Sequence, residues 1–142
     1  MLAIKVNENK ESGWVFLDYI KIIPALSFAI IIFYFSSIPN PVPPAVSATF
    51  EFDINTILHI CEYAIFSFLV SLGWKYKMRD SFLIIFPILY AISDEIHQYF
   101  VPNRFFDFFD ILADVIGVIL GFLLYLLIEK LYNNHLSKEI SI

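Results

Sequence analysis

The 142-residue sequence has little of what stabilises soluble or secreted domains. Its single cysteine, Cys61, excludes a disulfide within the chain, and so few cysteines leave the redox compartment undefined. Only 16% of the residues are charged, against about 25% in ordinary soluble domains. The net charge of -5 argues against nucleic-acid binding, which needs a basic face to neutralise phosphates.

Apolar residues are abundant instead. They make up 59% of the chain, and the mean hydropathy is +0.74. Soluble domains contain roughly 45 to 50% apolar residues, and a domain of this length could not bury a larger share. Lipid must therefore cover part of the surface, and residues 1–142 are interpreted as a single membrane domain.

Four apolar stretches predict an all-α integral membrane protein with four transmembrane helices, at about residues 17–36, 54–74, 81–99 and 107–128. Each is close to the roughly 20 residues that a helix needs to cross the hydrocarbon core. The segment from Ser36 to Asp53 contains four prolines and is predicted to be an extended loop. The first helix is expected to be retained, because the peptidase-like Val46-Ser47-Ala48 lies too far beyond it.

The basic residues predict the orientation of these helices. Eight of the nine fall before or at the start of the first helix, in the second connection or in the tail. The positive-inside rule places that side, and both termini, in the cytoplasm. Arg104 is the exception, and it is expected on the extracytoplasmic side.

This topology places the intramembrane polar residues near the extracytoplasmic ends of helices two, three and four, within roughly 10 Å of the boundary. Residues three, four and seven apart share a helix face, and the acidic stripe of helix four shares its face with Gly117 and Gly121, a small-residue packing signal. Glu95 lies about 100° around the helix from Asp94 and is expected to meet a different neighbour. The candidate site residues are His59, Glu62, Tyr63, Asp94, Glu95, His97, Gln98, Arg104, Asp107, Asp110 and Asp114.

The types of these residues suit several chemistries. His59 and His97, with Asp94 and Asp110, offer ligands for zinc, manganese or iron. Neighbouring carboxylates can divide acid and base roles, so the predicted catalytic residues are Glu62, Asp94, Glu95, Asp107 and Asp110. A phosphate or carboxylate could be held by Arg104, and the predicted ligand-binding residues are Arg104, Gln98, Tyr63 and Asp114. Each residue also has a structural interpretation, as a hydrogen bond between helices or as charge neutralisation.

The sequence resembles the VanZ-like family in several motifs. The stretch from Ser93 to Arg104 is the longest and most specific of them. The others are His59-Ile60-Cys61-Glu62-Tyr63, Asp107 with Asp110 and Gly117, and Phe35-Ser36-Ser37-Ile38-Pro39 at the end of the first helix. The resemblance covers most of the chain.

The sequence departs from the family pattern at a few positions. Asn103 stands where glycine is common, and asparagine also tolerates a left-handed turn. Asp114 stands where asparagine is usual and adds a possible negative charge. Asn55 and Thr56 replace a frequent acidic and basic pair, which puts any role of that pair in doubt here.

The resemblance implies a small multi-pass protein of the bacterial cytoplasmic membrane, related to one associated with low-level resistance to teicoplanin. Glycopeptides act outside the cell on lipid-linked wall precursors, which fits a site facing that side. One hypothesis is an envelope protein that binds or modifies a lipid-linked or peptidyl ligand, with such a precursor or the glycopeptide as partner. The second is a metal-dependent hydrolase or transferase acting on a lipid phosphate. The third is a proton-coupled transporter, which the few polar residues of the inner halves, Ser67, Ser71 and Tyr125, argue against.

Overall fold

The structure is a computed structural model that describes residues 20–39, 54–74 and 80–140. Within these residues the chain forms four helices and no strand, which confirms the predicted all-helical class. The predicted proline-rich loop and the short basic connection fall largely outside the described residues. The helices are α1 (Ile23–Ser36), α2 (Ile54–Trp74), α3 (Asp80–Gln98) and α4 (Phe108–Ile140).

Helices α1 and α4 differ most from the predicted ranges. Pro24 lies in the first turn of α1, where the missing proline N–H is not needed for an intrahelical hydrogen bond. At the start of α4, the Asp107 carboxylate accepts a hydrogen bond of 2.8 Å from the Phe109 backbone N–H. That helix continues beyond Ile128, the predicted end, because the leucine, glutamate and lysine residues that follow favour helix without being continuously apolar.

Two of the helices are long and apolar enough to cross a membrane, over Ile54–Gly73 and Phe108–Glu139. Helix α1 is apolar but shorter, with 14 residues. Large apolar side chains cover much of the bundle surface, as contact with lipid requires; they include Ile30, Leu58, Leu72, Leu89, Ile116 and Leu123. The number of spans and the position of the termini stay predictions.

Helices α2 and α4 pack closely along what we call the glycine seam, formed by Gly117, Gly121, Ile60, Ala64 and Ser67. A Cβ atom added to either glycine would collide with a carbonyl oxygen of α2, that of Ile60 or of Ala64. Ser67 donates a hydrogen bond of 2.9 Å to the Val118 carbonyl across the seam. The two helices therefore touch through their backbones, as the spacing of the glycines predicts.

The other two helices complete the bundle around α2. A Cβ atom on Gly73 would lie 2.6 Å from the Lys21 carbonyl oxygen, so the end of α2 meets the start of α1. The Tyr90 hydroxyl of α3 donates a hydrogen bond of 2.7 Å to the Ala29 carbonyl of α1. The buried core joins all four helices and contains Ala25, Ile32, Tyr63, Phe66, Val70, Leu83, Ala91, Val118 and Phe122.

Candidate functional site

Polar side chains gather at the end of the bundle where α1 and α3 finish and α2 and α4 begin. We call this the polar end. Five of its polar residues are only 1% to 8% exposed: His59, Asp94, Glu95, Gln98 and Asp114. Burial of so many ionisable groups is costly, so their partners decide what the polar end can do.

The imidazole of His59 lies between two carboxylates of α4. Its Nδ1 atom is 2.9 Å from Oδ1 of Asp114, a distance at which a ring N–H donates to a carboxylate. Its Nε2 atom is 3.7 Å from Oδ2 of Asp110. The two aspartates are one helical turn apart and therefore face the same ring.

Glu95 of α3 completes this cluster, which we call the histidine–carboxylate group: His59, Glu95, Asp110 and Asp114. One carboxylate oxygen of Glu95 accepts a hydrogen bond of 3.1 Å from the Asp107 backbone N–H. The other, Oε1, is buried without a hydrogen-bond partner. Single ligand atoms from His59, Glu95 and Asp114 all lie within 4.8 Å of one another, so these three side chains could hold a metal ion.

Asp94 belongs to a different set of contacts, on the side of α1. Its Oδ2 atom accepts hydrogen bonds from the Ser36 hydroxyl, at 2.7 Å, and from the Gln98 amide, at 3.1 Å. Its Oδ1 atom is buried and has no hydrogen-bond partner. The carboxylate thus joins α3 to the last turn of α1 and keeps one oxygen unpaired.

Arg104 forms hydrogen bonds to the end of α1. The guanidinium donates to the carbonyls of Phe35 and Ile38, both at 3.1 Å, and to the side-chain oxygen of Gln98 at 3.0 Å. Carbonyls at a helix C-terminus lack intrahelical donors, and a cation there also complements the helix dipole. The turn before α4 contains Asn103 with φ of 60°, the left-handed conformation that asparagine tolerates.

His97 lies against α1, away from the histidine–carboxylate group. Its ring stacks on Phe33, with centroids 4.5 Å apart, and its Nε2 atom is 3.0 Å from the Ser37 hydroxyl oxygen. That hydroxyl already donates its hydrogen to the Phe33 carbonyl, so Nε2 of His97 must act as the donor. The structure therefore groups His59 with Glu95 and Asp114, and not with His97 as the sequence predicted.

Tyr63 and Glu62 of α2 lie between the two sets of contacts. The Tyr63 hydroxyl is buried without a hydrogen-bond partner, although the charges of Asp94 and Asp114 both act on it. Glu62 is half-buried, and among the charges that act on it are those of His59 and Asp94. Both side chains are thus close enough to the two sets of contacts for charges of each set to act on them.

Sequence reasoning missed the contribution of α1. Ser36 and Ser37 provide partners for Asp94 and His97, yet neither serine was among the candidate residues. Two adjacent hydroxyl residues at the end of an apolar helix, inside a motif that carries the family resemblance, were the signal that could have found them. The roles predicted for the individual side chains stay predictions, because contacts alone do not show catalysis or binding.

Comparison with known proteins identifies the family. The family model described as VanZ/LLP1 matches residues 4–129, which is most of the chain. No curated protein and no solved structure shows a significant match. Family membership and the two apolar helices together indicate a membrane protein. The chain belongs to the VanZ/LLP1 family.

Proposed function

We propose that this protein acts in the bacterial cell envelope, where its polar end receives the polar part of a lipid-linked or peptidyl ligand on the extracytoplasmic side of the cytoplasmic membrane. One observation carries the proposal. Three buried polar atoms at the polar end, the Tyr63 hydroxyl, Asp94 Oδ1 and Glu95 Oε1, have no hydrogen-bond partner.

Unpaired polar atoms are unfavourable for folding. Leaving one buried donor or acceptor unsatisfied costs about 1 to 3 kcal/mol, so three in one region oppose the stability of the bundle. Groups of this kind are kept where a ligand, ion or substrate pairs with them. The polar end is therefore built for a partner that the folded chain alone does not supply.

The chemistry of the three atoms favours a particular kind of partner. Asp94 Oδ1 can accept a hydrogen bond from an amide, hydroxyl or ammonium group, Glu95 Oε1 can accept such a bond or bind a cation, and the Tyr63 hydroxyl can donate one. A peptide or sugar attached to a lipid offers such groups. A bare phosphate would be repelled by the carboxylates, and the Arg104 guanidinium is already engaged by carbonyls of α1.

The predicted orientation supports an extracytoplasmic ligand. Helices α2 and α4 begin at the polar end, and their other ends adjoin the basic connection and tail that the positive-inside rule assigns to the cytoplasm. Lipid-linked wall precursors, on which glycopeptides act, are displayed on the opposite side. An effect on teicoplanin susceptibility would follow if the protein altered such precursors or access to them.

Susceptibility of a bacterial host tests the function. Expression of the wild-type chain is expected to raise the inhibitory concentration of teicoplanin, and Asp94→Asn is expected to abolish the change at equal membrane abundance. Tyr125→Phe is the matched control, because Tyr125 is buried on α4 outside the polar end, and it should behave as wild type. No wild-type effect, or equal effects of both variants, would contradict the proposal.

Cysteine labelling tests the orientation separately. In a Cys61→Ala background, a membrane-impermeant maleimide added to whole cells should label Pro102→Cys, in the turn before α4. Ser137→Cys, near the other end of α4, should be labelled only after the cells are opened. The reverse pattern would place the polar end in the cytoplasm and would remove the proposed ligand from reach.

A further inference from the structure

We propose that the histidine–carboxylate group binds one divalent first-row metal ion, with His59, Glu95 and Asp114 as its core ligands and Asp110 beside them. The proposal adds a cofactor to the polar end, and it rests on the proposed function only for the ligand that the ion would meet. Metal binding itself can be measured without that ligand.

The distances suit an ion. Nitrogen and oxygen ligands lie about 2.0 to 2.2 Å from zinc, so two ligands of one ion are separated by at most about 4.4 Å. Three ligands of one ion lie at most about 3.8 Å from one another, and ligand atoms of His59, Glu95 and Asp114 lie within 4.8 Å of one another, so the contraction needed is about one ångström at most. Side-chain rotation can supply such a movement without shifting the helices.

Glu95 provides an independent reason to expect a ligand. The residue is 1% exposed, and its Oε1 atom has no hydrogen-bond partner. The other oxygen is fixed by the Asp107 backbone N–H at the start of α4, so the carboxylate is already oriented by the fold. A buried carboxylate oxygen without a donor is satisfied by a cation, and coordination would supply the missing partner.

The charges of the histidine–carboxylate group also favour a bound cation. The carboxylates of Glu95, Asp110 and Asp114 lie around the His59 imidazole inside an apolar bundle. One imidazolium could balance only one of them. A divalent ion would take the place of that proton, because a nitrogen ligand must be deprotonated, and would balance two of the three carboxylates instead of one.

The ligand types narrow the choice of metal. Imidazole suits zinc and iron, whereas carboxylates also suit manganese and magnesium, so one nitrogen with several oxygens fits zinc or manganese. Asp110 keeps 21% of its side chain exposed and lies 3.7 Å from the imidazole. It is therefore the most exposed carboxylate of the histidine–carboxylate group.

Calorimetric titration of chelator-treated protein in detergent tests the proposal, with zinc chloride and manganese chloride as probes. Wild type is expected to bind one ion per chain, and Glu95→Gln, which keeps the shape of the side chain, should weaken binding at least tenfold. His97→Gln should bind as wild type, since His97 contacts α1. Asp80→Asn, at the far end of α3, is a second control and should also bind normally.

Pulsed electron paramagnetic resonance of manganese-loaded wild type removes the dependence on a folded variant. It should show coupling to one imidazole nitrogen, and magnesium should not displace the ion at equal concentration. The absence of one-to-one binding, of nitrogen coupling, or of any difference between Glu95→Gln and His97→Gln would overturn the metal site. Metal binding without any effect on teicoplanin susceptibility would support the site and contradict the proposed function instead.

Discussion

The two halves of the contact between α2 and α4 handle buried polar groups in opposite ways. Along the glycine seam the backbones touch, and the buried Ser67 hydroxyl donates to the Val118 carbonyl at 2.9 Å, while the buried Ser71 hydroxyl, one turn further along α2, donates to the Ser67 carbonyl at 2.8 Å. At the polar end the same helices carry a buried imidazole and buried carboxylates. There, Tyr63 of α2 keeps a polar atom without a partner, as do Asp94 and Glu95 of the neighbouring α3.

This difference shows which half supplies stability and which half is adapted to a partner. Close packing with satisfied hydrogen bonds gives dispersion contacts at no electrostatic cost, and small residues make that possible in lipid. The polar end accepts a cost that the seam avoids. The seam therefore supplies stability that offsets the cost of the charged site beside it.

The largest effect is expected from stranding a charge at the polar end. His59→Leu would leave Asp114, 1% exposed, without its imidazole partner, and breaking a buried pair in this way costs about 3 to 5 kcal/mol. Thermal unfolding of chelator-treated protein in detergent measures the loss. The double variant His59→Leu with Asp114→Leu should recover most of it, and a single variant as stable as wild type would show that the pair does not constrain the fold.

A somewhat smaller effect is expected at the glycine seam. Gly121→Ala places a Cβ atom against the Ala64 carbonyl, and overpacking of this kind costs about 1 to 3 kcal/mol. Leu120→Ala is the control, since Leu120 is half exposed on the lipid-facing surface. Unfolding in a graded detergent mixture should separate the two variants; equal midpoints would mean that the seam can open without loss.

Arg104→Lys tests the link between the polar end and α1. Lysine keeps the charge but cannot reproduce the planar set of donors that reaches Phe35, Ile38 and Gln98, so the net loss should be about 1 kcal/mol. Hydrogen exchange should accelerate in the last turn of α1 while the glycine seam stays protected. Uniform acceleration throughout the chain would instead show that Arg104 supports the whole bundle.

The packing at the glycine seam could be predicted from the sequence more fully than the contacts at the polar end. Helical class follows from the apolar runs, and the packing of Gly117 and Gly121 against another helix follows from their spacing, whereas the structure identifies that helix as α2. Periodicity within one helix indicates which residues share a face, but it does not say which helix stands opposite. The sequence offered His59 and His97 together as metal ligands; in the structure the ligand atoms grouped with His59 are those of Glu95 and Asp114, and His97 lies beside Ser37.

The length of α4 could not be predicted from hydropathy either. Hydropathy measures where lipid can surround a chain, and it falls after Ile128, whereas helix formation depends on backbone hydrogen bonds and side-chain propensity. The role of Ser36 was hidden for a related reason. A serine at the end of an apolar run is usual at a membrane boundary, and only the position of Asp94 opposite it makes it a partner.

The smallest change in stability is expected for Tyr63→Phe, a variant that should nevertheless lose function. Tyr90→Phe provides a matched comparison. Tyr63→Phe removes a buried hydroxyl that has no partner, so the folded protein should be as stable as wild type or slightly more stable. Tyr90→Phe removes a hydroxyl that donates to the Ala29 carbonyl and should cost about 0.5 to 1.5 kcal/mol. Both variants lose one oxygen atom, so the chemical change is the same.

The effects of the two variants on function should be in the reverse order of their effects on stability. If the Tyr63 hydroxyl awaits a ligand, Tyr63→Phe should abolish the effect on teicoplanin susceptibility, because a site built to hydrogen-bond a ligand loses affinity when one group is missing. Tyr90→Phe should keep that effect at equal membrane abundance, since its hydroxyl is already engaged with α1. Tyr63→Phe should therefore keep or raise the melting temperature and lose the rise in inhibitory concentration. Tyr90→Phe should lower the melting temperature and keep that rise. A Tyr63→Phe protein that is destabilised, or that is stable and fully active, would mean that the unpaired hydroxyl has no ligand to meet, and the polar end would then be a packing feature like the seam.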